Sequence, residues 1–357
     1  MQTGFINTAI ALRNESLLKT EALFATQRQA WFAAFSEHFQ LICADIVKLQ
    51  AESFLPAISY MDYTMLYTNF INRRYVAEVW VYGDEWYCDK NQRMAGEYDL
   101  SFLFVCFNEL WDRLLSERKR YVGKVTAQEV TAFMMRALPD FFSYLINIAR
   151  FAITDSVDKN PFADIKKNDV FRINTGDYMA GTEPVFTVKK VKNADTLAEW
   201  FSERLENEYT FEDYSCLDFS GRSFTFTEFR YSQFRHSRLN NASLEGSALI
   251  GASFYRARME NCRLDNCSVY EADFSYATLK NASFAFARGR AGLPNEKEWK
   301  HVGFLPVSFR RADLTGASFK HADLTGADFT GAVLTGADFT GAVLDGAVFD
   351  SGTDWRG

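Results

Sequence analysis

Residues Arg311 to Asp350 read "RADLTGASFKHADLTGADFTGAVLTGADFTGAVLDGAVFD". Every fifth residue is Leu or Phe, and Ala stands two places before each. Neither the helical period of 3.6 nor the strand period of 2 accounts for a repeat of five. Counted back from Phe349, the same phase runs to Phe309, lapses, and resumes from Phe284 to Phe219, giving 23 apolar centres. Self-similarity over this length marks a repeat architecture.

The residue types set the geometry. A centre and the residue two before it share one side of an extended segment, so both face inward and the residue between them faces out. That middle residue is polar at Asp313, Ser318, Asp323, Asp328 and Asp338. Thr-Gly pairs such as Thr315-Gly316 and Thr325-Gly326 follow the centres. Gly in the third place of a four-residue turn supplies the positive φ of a type II turn. Each pentad is therefore one short side and one corner. A helix is excluded, because five residues advance about 500° and scatter the centres around the cylinder. Asn241, Asn261 and Asn281 share one corner position at intervals of 20. Asn residues ladder where equivalent positions lie one strand apart, which sets four pentads per coil, a square tube.

The quintets "ADLTG" and "ADFTG" resemble those of the pentapeptide-repeat family, over roughly residues 214–351. The resemblance implies a right-handed quadrilateral β-helix with Leu and Phe stacked inside, and end-to-end dimers. It also implies kinship with members that imitate DNA and occupy type II topoisomerases. The pattern departs in two places. The inward small position holds Leu217, Arg222, Thr227, Ser232 and Ser237 early on, which predicts a wide or distorted first coil. The stretch Arg288–Val307 would put Gly289 and Pro294 at centres and Lys297 inward, so an excursion loop with a short helix is expected there.

The reading is an α+β multidomain chain. Residues 1–153 form a mainly α-helical domain, and 154–210 a linker able to hold a β-hairpin and a capping helix. Residues 211–357 form the β-helix, with the excursion at about 288–307. Helices are predicted over Glu15–Gln50, Met61–Val81, Leu100–Tyr121 and Ala127–Phe151. Thr126 and Glu129 make a capping box for the last of these. Gly83–Gly96 is expected as a loop, "VFRIN" and "PVFTVKKV" as strands, and "ADTLAEWFSERLENEY" as an amphipathic helix over the open start of the tube.

Length, half-apolar composition and a net charge of −7 fit a globular protein of about two domains. No apolar run is long enough for a membrane span, the N-terminus has no basic signal region, and six cysteines do not make a disulfide scaffold. A cytoplasmic, bacterial-type protein is expected, and a signal-independent secretion route stays open. Phosphate-loop, zinc-helix and nucleophile-elbow motifs are absent, so no cofactor, metal or catalytic residue is assigned. Cys262 and Cys267 both take the small inward position, His38 lies on a helix, and Asp84, Glu85 and Asp89 sit in the aromatic loop.

Three functions follow. The first is a non-catalytic protein–protein interaction protein whose helical domain binds one partner while the β-helix serves as rigid scaffold or docking surface. The alternatives are DNA-mimic binding to a type II topoisomerase and an enzyme housed in residues 1–200, signalled by a polar pocket near Trp86 or Tyr98. Residues 211–357 carry 16 Lys and Arg against 18 Asp and Glu, which disfavours a uniform mimic of a phosphate backbone. Arg235, His236, Tyr255, Arg256 and Tyr276 fall on one side of the tube as a candidate binding face. Val343, Val348, Phe349 and Trp355 mark a candidate dimer end, and Trp299 and Lys300 a candidate contact in the excursion.

Overall fold

The computed structural model describes residues 3–154, 156–157, 160–178, 181–189, 197, 201, 203, 209–292 and 305–351. Trp299, Lys300, Trp355 and the expected helix after Pro294 lie outside these. The chain divides into two compact units, Met1–Val188 and, beyond it, Lys189–Pro294 with Lys300–Gly357.

The first unit is helical plus a sheet. Helix α1 spans Thr3–Ala51 and packs along α3 (Val105–Glu117) and α4 (Ala127–Thr154). The predicted capping box closes the start of α4: Thr126 N–H donates to Glu129 Oε2 at 2.8 Å, and Glu129 N–H donates to Thr126 Oγ1 at 3.1 Å. A helix over Met61–Val81 is not what forms. That stretch is strand β1 (Ile58–Met65), a short helix α2 (Tyr67–Ile71) and strand β2 (Val76–Tyr82). In β2, Ala77, Val79 and Val81 are fully buried while Val76, Glu78 and Trp80 are half-buried, a period of two with β-branched residues. In β1 nearly every residue is buried, so no alternation shows. The expected loop over Gly83–Gly96 holds a 3-10 turn at Trp86–Cys88 and ends inside β3 (Arg93–Asp99).

The strands expected at "VFRIN" and "PVFTVKKV" both form, as part of the first unit's sheet. Strands β4 (Lys167–Asp177) and β5 (Gly181–Lys189) complete a five-stranded sheet of order β3-β2-β1-β4-β5. Strand β1 runs antiparallel to β2 and parallel to β4. Met61, Tyr63, Val79, Val81, Phe171 and Ile173 are buried completely, and the Phe35 ring of α1 packs 5.0 Å from that of Tyr63.

The second unit is a β-helix solenoid. Parallel bridges join residues 20 apart, from Asp213↔Gln233 to Ser268↔Arg288. Across the excursion the offset becomes 35, as in Asp273↔Ser308, and then returns to 20. The bridging residues are the outward ones of each pentad. Centres from Phe219 to Phe329 are at most 5 % exposed, as are the small inward residues from Ser232 to Ala327. Outside the excursion, each corner has φ > 0 at its third residue, including Gly221, Asn241 and Gly251. The Asn ladder forms: Asn261 donates to Asn241 at 3.2 Å and Asn281 to Asn261 at 3.4 Å. Inside, Phe234, Phe254, Phe274, Phe309, Phe329 and Phe349 stack in one column with ring planes within 9°.

The coil persists further into Arg288–Val307 than the residue types suggest. Gly289 holds a centre position, its N–H donating to Asp323 O at 2.7 Å. A Cβ there would meet Val269, Leu324 and Val307, which occupy the space a centre side chain would take. Val307 is already back inside, fully buried. In the first coil Leu217, Arg222 and Thr227 are only half-buried, yet the bridge register holds. Leu197 and Phe201, both helical, join the core. The Phe201 ring lies 5.1–6.0 Å from those of Tyr214, Phe219, Phe224 and Phe229, and the rest of the expected capping helix falls mostly outside the described residues.

Corner glycines give one test. At Gly251 (φ +63°) a Cβ would fall 2.2 Å from the Tyr231 ring; at Gly221 (φ +70°) it would meet nothing within 4 Å. Gly221→Ala should cost the left-handed strain alone, about 1–2 kcal/mol. Gly251→Ala should cost that and the displacement of Tyr231. Equal urea midpoints for the two variants would contradict the corner packing.

Candidate functional site

Because coils superpose residues 20 or 35 apart, the corner that follows Phe234 gathers two columns. One holds Arg235, Tyr255, Ser275 and Arg310; the other holds His236, Arg256, Tyr276 and Arg311. The five predicted face residues do meet. The Arg235 guanidinium lies 5.2 Å from the Tyr255 ring centre, and Arg256 lies 5.3 Å from Tyr255 and 5.6 Å from Tyr276. His236 packs edge-on against Tyr255 at 5.9 Å, and the two tyrosine rings are 5.5 Å apart. Each such cation–ring contact contributes about 0.5–1 kcal/mol at an exposed site.

Arg311 completes the ladder, 5.6 Å from the Tyr276 ring and donating to its hydroxyl at 2.9 Å. It was missed in the sequence because the excursion hides how many pentads separate 276 from 311. Beside the ladder, on the adjoining outward row, Arg238 and Arg258 are bridge partners. Like charges placed directly opposite are destabilising. The corner itself is also strained. His236, Arg256, Tyr276 and Arg311 have φ of +59°, +56°, +60° and +54°. For residues other than Gly and Asn this region costs about 1–2 kcal/mol each. The next corner along the chain holds only Gly221, Asn241, Asn261, Asn281, Gly316 and Gly336 at the same position.

In the first unit a second cluster surrounds Asp62 in β1, which is fully buried. Its Oδ2 accepts from Trp86 Nε1 at 2.8 Å and its Oδ1 from Asn174 Nδ2 at 2.7 Å. Burial raises its pKa from the ordinary 3.8 to about 6, against the lowering by those two donors. Trp86 stacks on Tyr60 at 5.2 Å and on Tyr87 at 4.4 Å, and its φ is +49°. Asp62 thus ties the aromatic turn to the sheet, with no exposed surface of its own. Near Tyr98, His38 Nε2 donates to Glu97 O at 3.0 Å, and burial lowers its pKa.

The acidic loop residues do not converge. Asp89 accepts from the Gly83 and Asn91 N–H groups, and Asp84 accepts from Ser59 and from Asn168 Nδ2. Among the described residues no group of three His, Cys, Asp or Glu could hold a metal ion. Cys262 and Cys267 are free and buried, burial pushing the Cys267 thiol up to about 12, and its Sγ donates to Leu244 O. Among the described residues no helix is long and apolar enough to cross a membrane. At the candidate dimer end, Val343 and Val348 are 40 % and 51 % exposed, and Phe349 is half-buried.

Residues 227–266 and 308–350 match the family described as Pentapeptide repeats, in 8 copies. The C-terminal half of the chain is a pentapeptide-repeat region, and the N-terminal half matches no family. Among curated proteins none matches. Three solved structures illustrate the likeness. HetL, a pentapeptide repeat protein involved in heterocyst differentiation regulation in Nostoc sp. strain PCC 7120, is 18% identical over 46% of this chain and 99% of its own (TM-score 0.15). A pentapeptide repeat protein of the Arabidopsis thaliana thylakoid lumen is 27% identical over 33% of this chain and 66% of its own (TM-score 0.16). QnrB1, a plasmid-mediated fluoroquinolone resistance protein, is 15% identical over 39% of this chain and 94% of its own (TM-score 0.15).

Proposed function

We propose that this chain is a non-catalytic interaction protein, cytoplasmic, whose right-handed, four-sided β-helix is a rigid docking surface and whose N-terminal unit engages a second partner. The observation that carries it is the Arg–Tyr ladder: five residues with no role in the core, held in register on four successive coils. A solenoid presents such columns without conformational cost to the partner site. Duplex mimicry has no support on this side, where a phosphate-like surface would need acids in place of Arg238, Arg256, Arg258 and Arg311.

The last coil is proposed as a dimer end. Its centres Leu334, Phe339, Leu344 and Phe349 are only partly buried, and valines replace polar residues at outward positions 333, 343 and 348. A twofold contact would bury this patch twice. Sedimentation should give a dimer at tens of micromolar and a monomer for Val348→Asp; a monomeric parent removes the dimer. For the docking face, partners captured from cells by the full chain should be lost on Arg256→Asn/Arg311→Asn. Retention of every partner by that variant would remove the face.

A further inference from the structure

Several cations of the tube are paired with carboxylates. Lys280, Arg290, Arg310 and Lys320 each meet an Asp on a neighbouring coil, at 3.3 Å (Asp313), 3.2 Å (Asp323), 3.7 Å (Asp328) and 3.1 Å (Asp338). Arg263 likewise meets Glu245 at 2.8 Å. Arg256, Arg258 and Arg311 are exposed, and among the described residues none of them has a carboxylate within ion-pair reach. The same corner keeps bulky residues at four consecutive left-handed positions, where Gly or Asn serves the neighbouring corner.

We propose that this side binds a short, extended acidic peptide segment, whose carboxylates supply the missing partners of Arg256, Arg258 and Arg311. The proposal rests on reading the ladder as a docking face. Three features fix the partner's chemistry. Arg256, held against the Tyr255 and Tyr276 rings, presents its guanidinium edge for a bidentate carboxylate contact, and Arg311 presents the N–H groups it does not use on the Tyr276 hydroxyl. Coils stacked about 4.8 Å apart put Arg256 and Arg311 about 10 Å apart along the axis, within the reach of alternate same-face side chains on a short extended strand. The patch is also short. Asp218 lies one coil before Arg238 in the outward row, and Asp313 follows Thr278 at its other end. A long nucleic-acid backbone laid along the row would meet both carboxylates. A segment of about five residues with acids at alternate positions fits between them.

Fluorescence anisotropy with the full-length protein tests this. The probe is a labelled peptide of about twelve residues with Asp or Glu alternating with Ser. The comparators are the same peptide with Lys for every acid and a single-stranded oligonucleotide of equal charge. The acidic peptide should bind, and the Lys peptide should not. Arg256→Asn/Arg311→Asn should weaken binding by about tenfold or more, with a thermal midpoint no lower than wild type, because Asn suits the left-handed corner. The control pair Arg290→Gln/Lys320→Gln, on other sides of the tube, should bind within about twofold of wild type. Equal loss in the control pair, tighter binding of the oligonucleotide, or no binding of the acidic peptide would each overturn the proposal. If the acidic peptide fails while Arg256→Asn/Arg311→Asn still loses its cellular partner, the docking face stands and only the partner's chemistry is wrong. If both fail, the face itself is wrong.

Discussion

Replacing Phe274 by alanine should destabilise the β-helix by about 3–5 kcal/mol. The ring is completely buried, stacked between Phe254 at 5.0 Å and Phe309 at 5.2 Å, with Phe284 edge-on at 5.3 Å. Its neighbours belong to coils whose backbones are bridged on both sides, so the wall cannot collapse into the vacated space. The loss then includes the cavity as well as the transfer term. In a solenoid each repeat is stabilised by its neighbours only, so the weakness should centre on that coil. The outward Thr278→Ala should stay within about 0.5 kcal/mol. Urea unfolding of the two variants separates them, and comparable shifts would mean that the inward and outward assignments are wrong.

Asp62 should make the stability of the first unit depend on pH in an unusual direction. Its folded pKa of about 6 exceeds the ordinary 3.8, so the folded state holds the proton more tightly. Stability is then highest below 3.8, falls as pH rises toward 6, and above that carries the full cost of a buried carboxylate. The difference corresponds to about 3 kcal/mol. Asp62→Asn removes the charge. Its carbonyl can accept from Trp86 while its amide donates to a turned-over Asn174. The variant should therefore be more stable than wild type at pH 8 by about 1–3 kcal/mol, with the gap closing as pH falls toward 4. Asp62→Ala should instead be destabilised at the lower pH, because Trp86 and Asn174 lose their acceptor at about 1–3 kcal/mol each. A gap between wild type and Asp62→Asn that does not change with pH would contradict the buried carboxylate.

The tube was readable because its rule is local: five residues make a side and a corner, and the side chains state which is which. The 20-residue coil followed from three asparagines alone. What was hidden depended on neighbours distant in the chain. Gly289 looks unfit for a centre until Val269, Val307 and Leu324 are seen around it. Arg311 joins the ladder only once the excursion's length is known. In the first unit, the long helices declared themselves by composition and by the Thr126–Glu129 box. Strand β1 did not, because burial on both faces erases the alternation that marks a strand, and the same burial conceals Asp62. The aromatic turn was singled out in the sequence, but the carboxylate that holds Trp86 lies 24 residues earlier.

The repeat of 20 residues per coil is the claim on which the docking face depends, and a paired-cysteine experiment tests it most directly. In a background with the exposed Cys88 and Cys216 replaced by Ser, Asn241→Cys/Asn261→Cys places two thiols on adjacent coils, about 4.8 Å apart at the backbone. That separation lies within the range a disulfide spans. This pair should cross-link rapidly under mild oxidation, and Asn241→Cys/Asn266→Cys, on different corners, should not. Cross-linking of the second pair in preference to the first would mean a different number of pentads per coil, and the ladder of Arg235, Tyr255, Arg256, Tyr276 and Arg311 would come apart with it.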